Sequence, residues 1–357
     1  YYAHNQESLL DEGAYVYKGY LFASGQYIPY RPNGPWGNQM PLSYLIPGAI
    51  QVFVSPGLRS ARYFAIILAL LMLIGLWILT KEFGGKWWAT IAISALALNP
   101  VTIKTYSLAV SQGLTACMLI WSVVCILGMQ RSTWQILLGA TLAGLMLMTR
   151  INMASVLPIL IIFVFWRHGP RKGILATLAG ILPFLLFHII YWPHIMQFWA
   201  NWFPQRITPF LDASRYTDVG EAIWVNSLPL RDRWWSFLQG LRSNYLALVG
   251  LFGFSLLWLF PKQWKNTYLL QAAACISMII VPLLILHAWA SLMLNSCVYC
   301  FEGYMTFFAP LCLVLIPIVY QGWKTQDKSW FNWYAGGLLI SCGQVWAMDL
   351  TDRRARC

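Results

Sequence analysis

The sequence predicts an all-α polytopic membrane protein, and three features of its composition lead to this fold class. Of the 357 residues, 59% are hydrophobic and only 10% are charged, whereas a soluble domain carries about 25% charged residues. Twenty Trp and eighteen Tyr suit bilayer interfaces, where an amphipathic ring sits at the level of the headgroups. Apolar runs recur along most of the chain. No water-soluble surface can be built from this composition, which excludes a soluble domain.

The net charge of +12 indicates anionic lipid or phosphate partners before nucleic acid, and no nucleic-acid module is visible. The eight cysteines show no metal-binding pattern, so neither a cofactor nor a catalytic metal is expected. Cys297 and Cys300 form a CxxC in a predicted outward loop, where a disulfide is an open alternative. The sequence opens on a polar stretch without a signal peptide, and we expect a spanning helix to precede it.

The opening segment predicts two helices that do not cross the membrane. A short helix runs from about Glu12 to Ser24, and Gly25 fits its C-terminal stop. Residues 29–38 are rich in Pro, Gly and Asn and predict a loop. The apolar segment Pro41–Phe53 is too short to span a bilayer, which predicts a re-entrant or interfacial helix.

Ten apolar runs follow and are predicted to span the membrane. They are Tyr63–Thr80, Trp87–Val101, Ser107–Gly128, Trp134–Met148, Val156–Trp166, Ile174–Tyr191, Leu241–Phe260, Thr267–Leu286, Tyr304–Tyr320 and Phe331–Trp346. Several are shorter than the roughly 20 residues of a perpendicular span. The break from Met148 to Val156 reads either as a loop or as a kink within one long element.

The basic residues predict the topology. With the opening placed outside, every inward turn carries Lys or Arg, as the positive-inside rule requires. The resulting parts are an outward loop at 1–62, transmembrane helices at 63–191, an amphipathic outward loop at 192–240, transmembrane helices at 241–349 and an outward tail at 350–357. A compact chain of this kind predicts a bacterial inner-membrane protein.

Asp11 and Glu12 form a carboxylate pair just before the first apolar run of a chain with only 12 acidic residues. One interpretation is structural, with Asp11 capping the following helix and Glu12 favoured by its dipole. The other makes one carboxylate a general base that takes a proton from an acceptor hydroxyl or amine. Since adjacent residues do not share a helix face, we expect the two to play different roles.

Three cations lie at the predicted outer ends of different helices. Arg62 precedes the first clear span, Arg150 lies between two apolar runs, and Lys104 follows Asn99-Pro100. Arg62 alone reads as a snorkelling interfacial residue, whereas a charge placed like Arg150 is expensive and usually functional. Together the three predict a pocket for a lipid phosphate. Glu302 and Tyr304 begin a late span on the same side and are candidate ligands of sugar hydroxyls.

The stretch Asp11-Glu12-Gly13-Ala14-Tyr15 through Tyr30-Arg31 resembles the first outward loop of GT-C membrane glycosyltransferases. The closest group is related to protein O-mannosyltransferases and the aminoarabinose transferase of lipid A. Further similar elements are Met40-Pro41-Leu42, Ser60-Ala61-Arg62-Tyr63 and Met148-Thr149-Arg150. The similarity covers roughly residues 8–166, where the order of the motifs adds more than any one of them.

The resemblance implies a GT-C-type helix bundle with interfacial helices in the first outward loop. It also implies inverting transfer of a sugar from a polyprenyl-phosphate donor to a glycan, lipid or protein acceptor on the outer face. Asp11 would be the base, with Glu12 assisting or orienting, and Arg62, Arg150 and Lys104 would hold the donor phosphate. Fixed cations would stabilise the charge that develops on the leaving phosphate.

Tyr30 and Arg31 join Glu302 and Tyr304 as candidate contacts to sugar or acceptor. A stretch from Gly34 to Pro41 replaces the family's His-Lys-Pro-Pro-like motif, so the resemblance does not name the sugar. The main alternative is a transporter or flippase of a lipid-linked saccharide, which predicts polar residues at span midpoints and inverted repeats. A third alternative is a non-catalytic membrane scaffold, which has no need for Asp11-Glu12.

Overall fold

The computed structural model describes residues 1–8, 10–27, 40–128, 130–196, 199, 229–243, 250, 253, 255, 267–293 and 305–323. These residues form helices and no strand, which confirms the predicted all-α class. Four of the described helices are long and apolar enough to cross a membrane, or five if one bent pair counts as a single span. The chain divides into two compact units, Tyr1–Gly75 with Thr102–Leu228, and Leu76–Val101 with Pro229–Cys357.

The helices have the following bounds in chain order: α1 Tyr2–Asn5, α2 Leu10–Ala23, α3 Pro41–Phe53, α4 Leu58–Gly84, α5 Lys86–Ala97, α6 Pro100–Tyr106, α7 Ser111–Leu127, α8 Thr133–Leu147, α9 Val156–His168, α10 Pro170–Ile190, α11 Leu230–Ser243, α12 Thr267–Met293 and α13 Ala309–Trp323. Two 3-10 turns lie at Ile151–Ser155 and His194–Met196.

Helices α2 and α3 pack as a tight hairpin in the first unit. Gly19 faces Gly48 at their crossing, where a Cβ on Gly48 would collide with the Gly19 carbonyl. The Gln51 side-chain amide donates to the Val16 carbonyl over 2.8 Å, and its Oε1 accepts from the Gly57 N–H over 3.2 Å. These contacts fix α2 against both α3 and the start of α4.

The other helices of the first unit form a bundle in which α8 packs against α7, α9 and α10. A capping box, in which Ser132 and Gln135 exchange side-chain bonds with backbone N–H groups, begins α8. The Leu42 N–H at the start of α3 donates to the Met148 carbonyl at the end of α8 over 3.0 Å. This bond joins the α2–α3 hairpin to the residues just before Arg150.

The second unit contains the end of α4 and helices α5, α11, α12 and α13. Helix α12 packs on α11 and α13, and α13 packs on α5. Aromatic contacts hold the inner surfaces together, with Phe83 stacked on Tyr268 and Trp88 against Tyr320. Cys275 and Cys312 are buried, small core residues here, as expected from their apolar surroundings.

Some boundaries differ from those predicted. The run Trp87–Val101 ends as a helix at Ala97, because the Asn99 Oδ1 accepts the Val101 N–H over 2.9 Å and Pro100 opens a new helix. Helix α6 is bent by 102° from α7, which therefore begins at Ser111 rather than Ser107. The break after Met148 is a 3-10 turn. The run Phe331–Trp346, most of Leu241–Phe260, most of the loop at 192–240 and the tail lie outside the described residues.

Candidate active site

Glu12 and Arg62 form a closed ion pair between α2 and α4. Arg62 Nε donates to Glu12 Oε1 over 2.8 Å and Nη2 donates to Oε2 over 2.6 Å. The Ala109 N–H, just before α7, also donates to Oε1 over 2.7 Å. The side chains are 1% and 0% exposed. A carboxylate with two oxygens and three donors engaged in this way is fully satisfied in its buried position.

The rest of the Arg62 guanidinium is bound by the chain that precedes α2. Nη1 donates to the carbonyls of Tyr2, Ala3 and Gln6, the last over 2.7 Å. Nη2 donates to the Glu7 carbonyl over 3.3 Å. All three guanidinium nitrogens are therefore engaged, and the interpretation of Arg62 as a snorkelling surface residue is wrong. The structure places Arg62 in a closed pair rather than at an open phosphate pocket.

Asp11 points to a different neighbour, as expected for adjacent residues on a helix. It lies in the first turn of α2, which begins at Leu10, so the predicted N-cap position of Asp11 is not observed. Its side chain is half-buried. Burial raises the pKa of the Asp11 carboxyl above its ordinary value, and the positive charge of Arg150 opposes that rise. The charge of Arg150 therefore acts on the Asp11 carboxyl, and the roles that the resemblance implied for the two residues stay predictions.

Arg150 is held by a hydroxyl chain that leads back to α2. Its Nη1 donates to Ser111 Oγ over 2.8 Å, and Ser111 Oγ donates to the Tyr15 hydroxyl over 3.4 Å. Tyr15 lies four residues after Asp11, on the same face of α2. The next residue along α7, Gln112, is buried, and its Oε1 has no hydrogen-bond partner in the described structure. The hydroxyl chain links Arg150 to the face of α2 that carries Asp11 and Tyr15.

An aromatic group adjoins this chain on the α2–α3 hairpin. The ring of Tyr15 lies 5.3 Å from that of Tyr44. The Lys18 ammonium lies 4.9 Å from the Tyr27 ring centre and 5.0 Å from that of Tyr44, within cation–π range. Lys18 is 2% exposed, and burial lowers its pKa to about 8. Burial raises the pKa of Tyr44, and the negative charge of Asp11 adds a smaller contribution in the same direction.

A small, half-open apolar crevice lies close to the closed pair, with Ala61 and Ala109 among its lining residues. Its lining comes from α3, α4 and the start of α7, and includes Pro47, Ala61, Phe64, Ala65, Leu68 and Leu114. Two hydroxyls also line it, those of Ser43 and Ser111. Because Ser111 binds Arg150, the crevice has an apolar length and a polar end at the candidate site.

Not every predicted site residue joins this constellation. Lys104 lies half-buried at the end of α6, and within the described part of the chain no hydrogen bond or ion pair joins its ammonium to Asp11. The candidate sugar or acceptor contacts Tyr30, Arg31, Glu302 and Tyr304 lie outside the described residues, as do Cys297 and Cys300. Their roles stay predictions.

Three further residues of the site escaped the sequence interpretation: Tyr15, Lys18 and Ser111. Lys18 carried a usable signal, because it is the only cation of helix α2, which also carries Asp11 and Glu12. Ser111 begins a short polar stretch within the predicted apolar run Ser107–Gly128, where a hydroxyl is easily taken for an ordinary helix residue. Only the fold shows that it binds a residue 39 positions away.

Comparison with known proteins supports the fold. Residues 40–196 match the sequence model of the family described as dolichyl-phosphate-mannose-protein mannosyltransferase. The structure of ArnT from Cupriavidus metallidurans bound to undecaprenyl phosphate aligns with a TM-score of 0.57 and 16% identity, covering 95% of this chain. This chain has the GT-C fold. The GT-C fold that the resemblance implied is thereby confirmed, and the family match supports the resemblance to protein O-mannosyltransferases over residues 40–196.

The same comparisons also show how much of each chain is aligned. The chain spans 59% of the ArnT chain in that alignment. The apo structure of ArnT from the same organism aligns with a TM-score of 0.41 and 14% identity, covering 87% of this chain and 72% of that one. No curated protein matches the sequence significantly. The family match begins at Met40, after the Asp11-Glu12 pair, so the roles of the two carboxylates are argued from their geometry.

Proposed function

We propose that this chain forms the catalytic membrane part of an inverting glycosyltransferase that uses a polyprenyl-phosphate-linked sugar. The observation that carries the proposal is the division of labour between two adjacent carboxylates. Glu12 is buried in a closed pair with Arg62, whereas Asp11 is half-buried beside Arg150. One carboxylate is thereby built into the fold, and the other keeps the exposure that a reacting group needs.

Asp11 acts as the general base that takes a proton from the acceptor. A base works best when its pKa approaches the working pH, and burial moves the pKa of Asp11 in that direction. The acceptor oxygen or nitrogen then attacks the anomeric carbon of the sugar as the bond to the lipid phosphate breaks. Attack from the side opposite the leaving phosphate inverts the anomeric centre.

Arg150 holds the donor phosphate and stabilises the charge that develops on it. Its charge lowers the pKa of Asp11, against the larger effect of burial, which raises it. An anionic phosphate bound to Arg150 would cancel part of that influence, so the pKa of Asp11 would rise on donor binding. Donor binding therefore makes the base stronger at the moment it is needed. Lys104 adds a second cation for the same phosphate, and the closed pair of Arg62 positions α2.

The donor class rests on chemistry and on one relative. ArnT of Cupriavidus metallidurans binds undecaprenyl phosphate in its crystal structure, and the matching family is described by a dolichyl-phosphate donor. Apolar side chains of α3, α4 and α7 lie around Ser111 and would offer an apolar surface to the first units of such a prenyl chain. We place the site on the outer face of a bacterial inner membrane, with Tyr30, Arg31, Glu302 and Tyr304 contacting sugar or acceptor.

The deciding experiment measures transfer of radiolabelled sugar from polyprenyl-phosphate donors in membranes that contain the full-length protein. It compares the wild type with Asp11→Asn at matched expression. Loss of a base costs about 10² to 10⁴-fold in rate, so we expect transfer by the variant to fall by at least 100-fold. Tyr17→Phe serves as the matched control, because Tyr17 is on the same helix and is exposed.

Each outcome assigns a role. Equal transfer by the wild type and Asp11→Asn would contradict the assignment of Asp11 as base and would leave Glu12 as the remaining carboxylate. Saturable donor binding without transfer from any donor would contradict the enzyme and favour a transporter or flippase of the lipid-linked saccharide.

A further inference from the structure

A second cluster of charge lies at the far end of the first unit. Helix α7 starts at Ser111 in the candidate site and ends at Leu127, so its 17 residues span about 25 Å. The end of α7, the start of α8, the end of α9 and the start of α10 meet there. The two turns that join these helices, together with the helix ends next to them, carry four basic residues: Arg131, Arg167, Arg171 and Lys172. We call them the basic cluster.

Specific contacts bring the two turns of the basic cluster together. His168 Nε2 donates to the Ile126 carbonyl at the end of α7 over 3.0 Å. The Lys172 ammonium donates to the Arg131 carbonyl over 3.2 Å. Gly169 joins α9 to α10 with φ of 89°, a left-handed conformation that favours glycine. The tight turn separates Arg167, at the end of α9, from Arg171, at the start of α10, by only three residues.

The charge of this cluster is concentrated and of one sign. Lys172 is joined to Arg131 by a hydrogen bond, and Arg167 and Arg171 lie on the two sides of the turn at Gly169. The sequence contains no Asp or Glu from residue 83 to residue 211. The acidic residues described in this unit, Glu7, Asp11 and Glu12, belong to the segment that packs at the other end of α7. Phosphate is the ligand that such a group of Arg and Lys side chains recognises.

The surroundings of the basic cluster favour a lipid as the source of that phosphate. Trp134 in the first turn of α8 and Trp166 in the last turn of α9 are both exposed. Ile174, in the first turns of α10, is exposed as well. Exposed Trp next to apolar helix surface is typical of the headgroup level of a bilayer. A ligand with a phosphate head and acyl chains fits both the charged turns and the apolar flanks.

We propose that the basic cluster formed by Arg131, Arg167, Arg171 and Lys172 is a binding site for the headgroup of an anionic phospholipid. Basic pockets between transmembrane helices bind such headgroups. The site is independent of the glycosyltransferase activity, because it lies about 25 Å along α7 from Ser111. A bound lipid would tie the ends of α7 to α10 together at the membrane surface.

The test uses native mass spectrometry of the full-length protein in detergent. The probes are phosphatidylglycerol and phosphatidylcholine with identical oleoyl chains, which differ in headgroup charge alone. We expect phosphatidylglycerol adducts to exceed phosphatidylcholine adducts in the wild type. Arg167→Gln with Arg171→Gln removes two exposed cations without touching the helix-end hydrogen bonds. Each basic residue near an anionic lipid contributes about fivefold to binding, so the phosphatidylglycerol adducts should fall by roughly tenfold or more.

The matched control removes two exposed cations from another predicted inward turn, Lys81→Gln with Lys86→Gln. That turn also contains Glu82, so its charge is mixed and no change in phosphatidylglycerol adducts is expected. Equal losses in the two double variants would show a general charge effect and overturn the site. The Tm of the protein is also measured with inorganic phosphate and with phosphatidylglycerol. If inorganic phosphate alone raised the Tm as much as phosphatidylglycerol does, the ligand would be a soluble anion, and the lipid proposal would be overturned. Lys172→Gln provides a second variant, expected to weaken phosphatidylglycerol binding in the same direction.

Discussion

Asp11 and Glu12 are neighbours on one helix turn, and the charge of an arginine acts on each of them. The two pairs nevertheless differ in burial and in hydrogen bonding. The closed pair, Glu12 with Arg62, is buried, bidentate and surrounded by backbone groups. The open pair, Asp11 with Arg150, is half-buried, and Arg150 reaches Asp11 by its charge while its guanidinium binds Ser111. A satisfied buried ion pair resists change. A half-exposed pair can exchange its partner for a ligand.

This difference indicates that the closed pair holds the residues of the open pair in position. Arg62 ties the chain before α2 to α4, and Glu12 ties α2 to the residue before α7. Three segments are thereby locked at the turn that carries Asp11. Preorganisation of this kind lets a catalytic group hold its position without cost during the reaction. The variants below test the two pairs against each other.

The largest effect on stability is expected from breaking the closed pair. Glu12→Gln leaves a buried guanidinium without its counter-charge, and removal of one partner from a buried pair costs about 3–5 kcal/mol. The double variant Glu12→Gln with Arg62→Gln should lose less than the sum of the two single variants, since residues in contact are coupled. The measurement is the free energy of unfolding in detergent micelles by denaturant titration.

Asp11→Asn is the matched control, because it makes the same chemical change one residue away. Burial raises the pKa of Asp11, so its ionised form is held less well in the folded state than in the unfolded chain. A neutral Asn therefore should not lower the free energy of unfolding at pH 7. A loss below about 1 kcal/mol in Glu12→Gln, or equal losses at both positions, would erase the distinction between the pairs.

The sequence predicted the partners of the open pair better than those of the closed one. The bounds Pro41–Phe53 were predictable because a proline opens the helix and its apolar residues end together. Arg150 stood out because a charge between two apolar runs is costly. The pairing of Glu12 with Arg62 crosses 50 positions, and no local pattern encodes it. Arg62 looked like an interfacial residue because its burial depends on residues 2–7 folding over it.

A smaller effect, on the KM for the donor and on the pH dependence of kcat/KM, is expected from removing Arg150 from the open pair. Arg150→Gln removes a charge-assisted bond, which is worth about 1.5–3 kcal/mol, so the KM for the donor should rise by roughly tenfold to 100-fold. Arg150 also lowers the pKa of Asp11. Transfer requires the ionised base and is lost as the pH falls through that pKa, so the acid limb of kcat/KM should move to higher pH.

Lys104→Gln provides the comparison for Arg150→Gln. It removes one cation, but Lys104 is not among the groups that act on the Asp11 charge. The KM for the donor should rise while the acid limb stays in place. An acid limb that moves equally in both variants would show that general charge, rather than the open pair, controls the base. If the acid limb of kcat/KM did not move in Arg150→Gln, Arg150 would have no influence on the pKa of Asp11.

The smallest effect is expected at Ser111, which acts on the open pair through Arg150. Ser111→Ala removes the hydroxyl that binds Arg150 and Tyr15, a loss of about 1 kcal/mol, or roughly fivefold in kcat/KM. Ser122→Ala is its control on α7, since that hydroxyl bonds only its own helix at Met118, and transfer should not change. If Ser111 works by positioning Arg150, it should matter little once Arg150→Gln is present. Full additivity of the two changes would mean that Ser111 contacts the substrate instead.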